Sequence, residues 1–263
     1  MADTHISERR AVYTIPGMEQ SARREDLVYR TTAAGPLTMD VYRPAEAAAD
    51  ARLPAVIFVA GYSDVGYEKL LGRKFKDMAM CVSWGQLVAA SGMVAIAYTN
   101  REPVTDLDAL IEHVRGNAPA LGIDGNRLGV WACSGNVPLA LRALMGSAMR
   151  CGALLYGFML DLDGATGVAD AAQSFRFTNP NAGASLDDLN DDVPLLIVRA
   201  GREQFAGLND SIDRFFVNAL ARNRPITLVN HATGPHAFDL FDDRDTSRAV
   251  VKQILNFLRA SLM

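Results

Sequence analysis

Short runs of apolar residues, separated by helical patterns, constrain the fold of this chain most strongly. The runs are rich in β-branched or aromatic side chains and are bounded by glycine, proline or charged residues. They show little alternation between apolar and polar positions, which is typical of strands in a parallel sheet whose two faces are both covered. The predicted strands are Ala55–Ala60, Met93–Tyr98, Leu128–Cys133, Ala153–Leu160, Val193–Ala200 and Ile226–Val229.

Helical patterns lie between these runs. Leu107, Leu110, Ile111 and Val114 follow the spacing of one helix face, and Val137–Met145 is apolar almost all round, which predicts a buried helix. Two more amphipathic patterns cover residues 208–220 and 250–258. The alternation predicts an α/β fold with a mostly parallel central sheet and helices on both faces.

The N-terminal part of the chain follows a different pattern. Residues 26–31 and 37–43 alternate between apolar and polar positions and are separated by a turn at Ala34-Gly35-Pro36. This predicts an antiparallel hairpin at the edge of the sheet. We therefore divide the chain into an N-terminal extension, residues 1–24, and one α/β domain, residues 25–263. Within that domain, residues 161–192 are a candidate lid or cap, because the segment is long and rich in Asp, Asn, Gly and Ala.

Composition excludes several classes of protein. Lys and Arg number 26 and Asp and Glu number 30, so the net charge of −4 argues against a nucleic-acid-binding protein. The longest apolar stretch is much shorter than the ~20 residues of a bilayer span, and residues 1–17 lack a signal-peptide core. Three widely spaced cysteines form neither a disulfide framework nor a zinc motif. We expect a cytoplasmic protein without a membrane partner or metal, whose oligomeric state is open, with a homodimer as one option.

The most informative motif directly follows the third predicted strand. It reads Ala132-Cys133-Ser134-Gly135-Asn136 and continues into the predicted buried helix. A sharp turn from strand to helix exposes the residue at its apex in a strained backbone conformation. Ser134 occupies that apex, and the N–H of Gly135 lies at the helix N-terminus, where partial positive charge collects. This predicts a nucleophile with an oxyanion donor beside it.

This stretch, from Asp124 to Gly135, resembles the strand and nucleophile elbow of the α/β-hydrolase family, and is closest to its dienelactone-hydrolase-like and small esterase branches. The resemblance covers about residues 25–260. The elbow pattern of the family is G-x-S-x-G, whereas this chain has Ala132 and Asn136 at the two glycine positions. Dienelactone hydrolases use a cysteine, which makes Cys133 an alternative nucleophile. Counting from the strand places Ser134 at the apex and Cys133 one position early.

The resemblance implies a histidine in the loop after the last strand, where the family often shows Gly-x-His-x-Phe. This sequence matches with Gly234, His236 and Phe238, so His236 is the expected general base, with His231 as the alternative. A serine hydroxyl near neutral pH needs such a base. The chain contains two other histidines, one near the N-terminus and one on a predicted helix.

The family also places a carboxylate after the strand that precedes the histidine strand. Here that strand is followed by Gly201-Arg202-Glu203-Gln204. The commoner family spacing falls on Gln204, so Glu203 is the nearest carboxylate and our choice, with Asp210 as the alternative. The order Ser134, Glu203, His236 matches the order expected for an α/β-hydrolase.

The resemblance further implies an oxyanion donor in the loop after Ala55–Ala60, and the backbone N–H of Tyr62 is the candidate there. We expect the substrate pocket to include Tyr62, Phe158, Met159, Phe205 and the candidate lid. The sequence thus predicts a serine hydrolase that cleaves a small carboxylic ester, lactone or thioester through an acyl-enzyme, without a cofactor. The alternatives are a hydrolase-fold protein that binds a small molecule without turnover, and an acyltransferase or C–C hydrolase that uses the same site.

Overall fold

The computed structural model describes residues 4–263, and its centre is a sheet of eight strands. The strands lie in the order β1-β2-β4-β3-β5-β6-β7-β8. β2 is antiparallel to both β1 and β4, and all other neighbours are parallel. The strands are β1 (Ala22–Thr32), β2 (Gly35–Arg43), β3 (Leu53–Phe58), β4 (Val94–Tyr98), β5 (Ile123–Cys133), β6 (Cys151–Leu155), β7 (Leu195–Arg202) and β8 (Ile226–Pro235). The predicted mostly parallel sheet with an antiparallel N-terminal edge is confirmed.

Helices connect the parallel strands and also follow the last one. The four predicted helices are present, and α1, α2, α4, α6 and α8 are additional. The residues of α2 are apolar around most of the helix, so no periodic pattern marks it in the sequence. The helices are α1 (Asp64–Leu71), α2 (Ala79–Ala90), α3 (Pro103–Gly116), α4 (Ala118–Leu121), α5 (Val137–Gly146), α6 (Gly167–Phe175), α7 (Leu208–Ala221), α8 (Phe238–Phe241) and α9 (Asp245–Leu262).

Helices cover both faces of the sheet. Trp131 of β5 packs against Trp84 of α2, with ring centroids 5.0 Å apart, and the neighbouring Gly129 faces the end of α9. On the opposite face, a side chain at Gly152 of β6 would collide with Leu144 of α5, since its Cβ would lie 2.8 Å from the leucine. The strands between these layers are almost entirely buried, which explains their unbroken apolar runs.

One strand is shorter than the sequence predicts. β6 ends at Leu155, whereas its apolar run continues to Leu160. The next residue, Tyr156, has a φ of +35°, which an extended strand does not permit. Residues 156–160 are buried despite leaving the sheet, so their apolar character reflects burial and not strand structure.

The N-terminal extension packs against the rest of the chain. The N–H of Ala11 donates to Ser83 Oγ in α2, and the N–H of Val12 donates to the carbonyl of Asp239 in α8. Ile6 lies beside the cavity described below. Residues 1–3 of this extension are outside the described part. Among residues 4–263, no helix combines the length and the apolar character needed to cross a bilayer.

Candidate active site

Ser134 lies at the turn between β5 and α5, and its backbone is strained. Its φ is +54°, in the left-handed region that costs a non-glycine residue about 1–3 kcal/mol. The turn is closely packed, because a Cβ on the facing Gly157 would lie 2.5 Å from the carbonyl oxygen of Ser134. This packing keeps Ser134 in its strained conformation at the apex of the turn, where the strand–Ser–helix order predicts it.

Asn136 explains how the elbow forms without its second glycine. It has ordinary right-handed helical angles, so this position does not require glycine. Its buried Oδ1 accepts hydrogen bonds from the N–H of Gly61, at 2.7 Å, and from the hydroxyl of Tyr67, at 2.5 Å. A Cβ on Gly61 would lie only 2.8 Å from Asn136 Cα, so the loop approaches the elbow closely because Gly61 lacks a side chain. Asn136 thus fastens the loop after β3 to the elbow.

His236 reaches Ser134 from the loop after β8. Its Nε2 lies 2.9 Å from Ser134 Oγ, although the two residues are 102 positions apart in the chain. The imidazole is held between two aromatic side chains, since its centroid lies 4.9 Å from the Tyr156 ring and 4.8 Å from the Phe205 ring, both edge to face. This packing restricts the imidazole to an orientation in which Nε2 faces the serine.

Glu203 contacts the other nitrogen of the same imidazole. Its Oε2 lies 2.6 Å from His236 Nδ1, and its Oε1 accepts the N–H groups of Gln204 at 2.8 Å and Phe205 at 2.9 Å. The Glu203 side chain is only 1% exposed. This burial opposes ionisation, but the hydrogen bond and charge of His236, together with the two N–H donors, outweigh it and lower the pKa of Glu203. An ionised carboxylate only accepts hydrogen bonds, which assigns a proton to Nδ1 and leaves Nε2 to accept the hydroxyl proton of Ser134.

The two alternative residues lie elsewhere. Asp210 is exposed in the first turn of α7. His231 is buried, and its Nε2 lies 2.7 Å from Ser247 Oγ, which in turn donates to Asp242 Oδ2 at 2.7 Å. Burial lowers the pKa of His231, and nearby Asp242 opposes the shift. Among the four candidates for base and acid, the structure brings His236 and Glu203 to Ser134.

The two expected oxyanion donors belong to the loop after β3 and to the elbow, which approach each other closely, since a Cβ on Gly61 would lie 2.5 Å from the Gly135 carbonyl oxygen. Tyr62 N–H has no hydrogen-bond acceptor within residues 4–263, and Gly135 supplies the first N–H after the serine. The Tyr62 ring covers this position, since a Cβ on Gly135 would lie 2.6 Å from the Tyr62 hydroxyl oxygen. Burial raises the pKa of Tyr62 to about 12, so its phenol is neutral at physiological pH. A carbonyl oxygen at this place would meet N–H groups and no anionic side chain.

Two cavities border Ser134, and most of the expected pocket residues line them. Tyr62 and Phe205 line both cavities, and Phe158 lines the smaller one. Met159 lies outside both, which corrects our expectation for this residue. Its N–H donates to Ser211 Oγ in α7, and its side chain is buried in the core.

Cys133 borders the larger cavity but is almost entirely buried. Burial raises the pKa of its thiol to about 12, so the reactive thiolate is scarce near neutral pH. The hydroxyl of Ser134, in contrast, is partly exposed and faces the imidazole. The geometry favours the serine over the cysteine as nucleophile.

Sequence reasoning missed a buried contact behind the histidine. The Tyr156 hydroxyl donates to Asp239 Oδ1 at 2.6 Å, and Trp84 Nε1 donates to Asp239 Oδ2 at 2.8 Å. Burial raises the pKa of Asp239. Tyr156 directly follows β6, so the search at the ends of strands would have found it if the strand had been ended at the correct residue.

Together these side chains can support nucleophilic substitution at a carbonyl group. The hydroxyl of Ser134 faces a proton acceptor, and the acceptor is oriented by an ionised carboxylate. The N–H groups of Tyr62 and Gly135 are the candidates to receive a developing negative charge. A cavity opens on the hydroxyl, which gives a small molecule access to it.

No protein-family model matches the chain, and no curated protein matches it. Solved structures do. A thermophilic esterase, Est2, from the planctomycete Thermogutta terrifontis is 18% identical over 93% of this chain and 92% of its own, with a TM-score of 0.67. An α/β-hydrolase enzyme from the metagenome of Lake Arreo, Spain, is 18% identical over 93% and 86%, with a TM-score of 0.69. A bacterial heroin esterase is 14% identical over 92% and 84%, with a TM-score of 0.65. These likenesses show that the chain has the α/β-hydrolase fold.

Proposed function

We propose that this α/β-hydrolase-fold protein is a serine hydrolase that cleaves carboxylic esters, with lactones and thioesters as related substrates. The observation that carries the proposal is the contact of 2.9 Å between His236 Nε2 and the hydroxyl oxygen of Ser134, which is held at a φ of +54°. Glu203 supports it by holding Nδ1 of the same imidazole. The substrate would be a small acyl compound, and the reaction needs no cofactor.

In the first half of the proposed reaction, Ser134 Oγ attacks the carbonyl carbon while its proton moves to His236 Nε2. The carbonyl oxygen becomes an oxyanion and receives hydrogen bonds from the N–H groups of Tyr62 and Gly135. The intermediate collapses, the bond to the leaving oxygen breaks, and His236 returns the proton to that oxygen. An alcohol leaves and an ester of Ser134 remains.

In the second half, water attacks this ester with His236 again as base. The carboxylic acid leaves, and Ser134 recovers its hydroxyl proton. Glu203 stays ionised in both halves and stabilises the imidazolium that forms twice. Its lowered pKa suits this role, because a protonated glutamate would give the imidazole no compensating charge.

The solved structures support an esterase over a protein that only binds. One of them is the Thermogutta terrifontis esterase 2 phosphoramylated by tabun, which is 17% identical to this chain over 94% of both. A relation to the dienelactone-hydrolase-like branch remains a proposal that rests on the sequence around Ser134.

Labelling with a fluorophosphonate probe tests the proposal directly. We expect one probe molecule per chain, attached to Ser134 and absent from Ser134→Ala, together with hydrolysis of p-nitrophenyl acetate that the same substitution abolishes. A folded wild-type protein that neither reacts with the probe nor hydrolyses esters would favour the binding protein. Products analysed with added methanol or amines would reveal acyl transfer instead of hydrolysis.

A further inference from the structure

The two cavities that meet at Ser134 differ greatly in size. The smaller measures about 70 Å³ and the larger about 320 Å³. They share five lining residues, which mark the junction between them, namely Tyr62, Ser134, Gly135, Phe175 and Phe205. An ester bound with its carbonyl carbon at Ser134 would therefore extend one end into each cavity.

Packed aromatic rings limit the smaller cavity. Phe158 and Phe177 stack with centroids 5.9 Å apart, and both are almost fully buried. Leu208, at the start of α7, closes another side. At about 70 Å³, this cavity has less than a quarter of the volume of the larger one. It therefore suits the shorter end of an ester.

The larger cavity is wide and mostly apolar. Its volume reaches the range of about 300 Å³ and above that is typical of small-molecule sites. Away from Ser134, many of its apolar side chains come from the N-terminal extension, from α1, from the segment leading into α2, from the first turn of α2, and from α8. Its apolar lining includes Ile6, Leu70, Leu71, Phe75, Met78, Met80 and Leu240.

The position of His236 indicates which cavity receives the acyl part of the ester and which receives the alcohol part. The imidazole borders the larger cavity and is absent from the lining of the smaller one. In the proposed function, His236 Nε2 must deliver its proton to the leaving oxygen, so that oxygen lies on the side of the imidazole. The alcohol part therefore occupies the larger cavity and the acyl part the smaller.

We propose that the preferred substrates are esters of short acids, of about acetyl to propionyl size, with bulky apolar alcohols. This inference rests on the proposed serine hydrolase activity and adds the direction in which the ester binds. Exchanging the acid and alcohol portions of one ester should therefore reduce turnover, because a long acyl chain does not fit beside Phe158 and Phe177.

Hexyl acetate and ethyl hexanoate test the assignment, because they are isomers with similar leaving groups. We expect kcat/KM to be at least tenfold higher for hexyl acetate. Equal values, or a preference for ethyl hexanoate, would overturn the inference while leaving the serine hydrolase in place. Labelling of Ser134 by the fluorophosphonate without turnover of either ester would also overturn it. If the probe does not react either, the proposed function itself fails.

Two variants locate the cause of the preference. Phe158→Ala should enlarge the smaller cavity and lower the preference for hexyl acetate over ethyl hexanoate at least threefold, provided that its circular dichroism remains native.

Leu70→Arg should place a charge at the mouth of the larger cavity and lower the ratio of kcat/KM for hexyl acetate to that for ethyl acetate at least threefold. Val65→Arg is the matched control, since Val65 is an exposed apolar residue of the same helix that lines neither cavity. A ratio unchanged in Leu70→Arg, or changed equally in Val65→Arg, would contradict the assignment of the larger cavity.

Discussion

Two clusters of serine, histidine and a carboxylate lie in the C-terminal half of this chain, and only one has the arrangement of a nucleophile and its base. We call them the outer and the inner cluster. Their histidines are five residues apart in and directly after β8. The outer cluster consists of Ser134, His236 and Glu203, and the inner cluster of Ser247, His231 and Asp242.

The clusters differ in which residue lies in the middle. In the outer cluster His236 lies between the serine and the carboxylate, so the serine proton points toward a nitrogen that can accept it. In the inner cluster Ser247 lies in the middle and donates its proton to Asp242, so its hydrogen bond with His231 requires the imidazole to donate. The same three kinds of residue are therefore arranged so that they can activate a hydroxyl in one place, while in the other they join α9 to β8.

Exchanging each histidine for alanine gives the largest expected contrast. His236→Ala removes the proton acceptor of Ser134, and we expect kcat/KM for p-nitrophenyl acetate to fall about 10⁴-fold or more. His231→Ala should stay within about threefold of the wild type at a temperature where it is folded. A large loss of activity in a folded His231→Ala variant would show that the inner cluster takes part in the reaction.

Neutralising each carboxylate is the next test. Glu203→Gln keeps the size of the side chain but removes the charge that stabilises the imidazolium, and we expect kcat/KM to fall about 10³-fold. Asp242→Asn serves as the control and should change kcat/KM only severalfold. Steady-state kinetics at pH 7 would check both, and a Glu203→Gln variant with near wild-type kcat/KM would reject the role of Glu203.

The same substitution at the two serines should separate activity from stability. Ser247→Ala leaves buried partners without their hydrogen bonds, so we expect the free energy of unfolding to fall by about 1–3 kcal/mol with little change in kcat/KM. Ser134→Ala should abolish turnover and change the free energy of unfolding by about 0.5 kcal/mol or less. Urea titration with parallel ester assays measures both quantities, and equal destabilisation by the two variants would contradict the contrast.

The smallest expected effect is a pH dependence of stability that belongs to the inner cluster. Burial lowers the pKa of His231 below its value of about 6.5 in an unfolded chain, with Arg244 acting in the same direction and Asp242 against it. Below that pH the unfolded state binds more protons, so the contribution of His231 to stability is complete above about pH 6.5 and declines as the pH falls.

We therefore expect the free energy of unfolding to decrease between pH 7 and pH 5 more steeply in the wild type than in His231→Gln. The difference between the two slopes isolates the histidine from other groups that titrate in this range. Urea titrations at several pH values would measure it. Parallel curves for the two proteins would show that His231 does not contribute.

Local patterns were enough to predict the fold, and the choice of Ser134 and His236 also depended on the resemblance to the α/β-hydrolases. Apolar runs mark the buried parallel strands directly, and strand ends identify where polar side chains can meet. Glu203 could not be separated from Asp210 by sequence alone. Its position depends on how the chain turns after β7, where the N–H groups of Gln204 and Phe205 close around its carboxylate.

The sequence patterns were misleading where residues are buried without belonging to a strand. Residues 156–160 are as apolar as a strand but leave the sheet at Tyr156, and this error placed Met159 in the pocket. Asn136 is a different case, since the sequence shows a departure from the elbow pattern. Its compensating partners, Gly61 and Tyr67, lie in a loop and a helix far earlier in the chain.

The hydrogen bonds of Asn136 also constrain how this protein can evolve. One carboxamide oxygen serves both the Gly61 N–H and the Tyr67 hydroxyl, so replacing Asn136 by glycine, the residue of the more common elbow, would leave two donors without an acceptor at once. A lineage that moved between the two forms would need a linked change at position 67. It would also need another acceptor for the backbone N–H of residue 61, which every residue except proline carries. Natural homologues should accordingly show covariation between positions 67 and 136, and engineering that grafts a glycine elbow here should change both positions together.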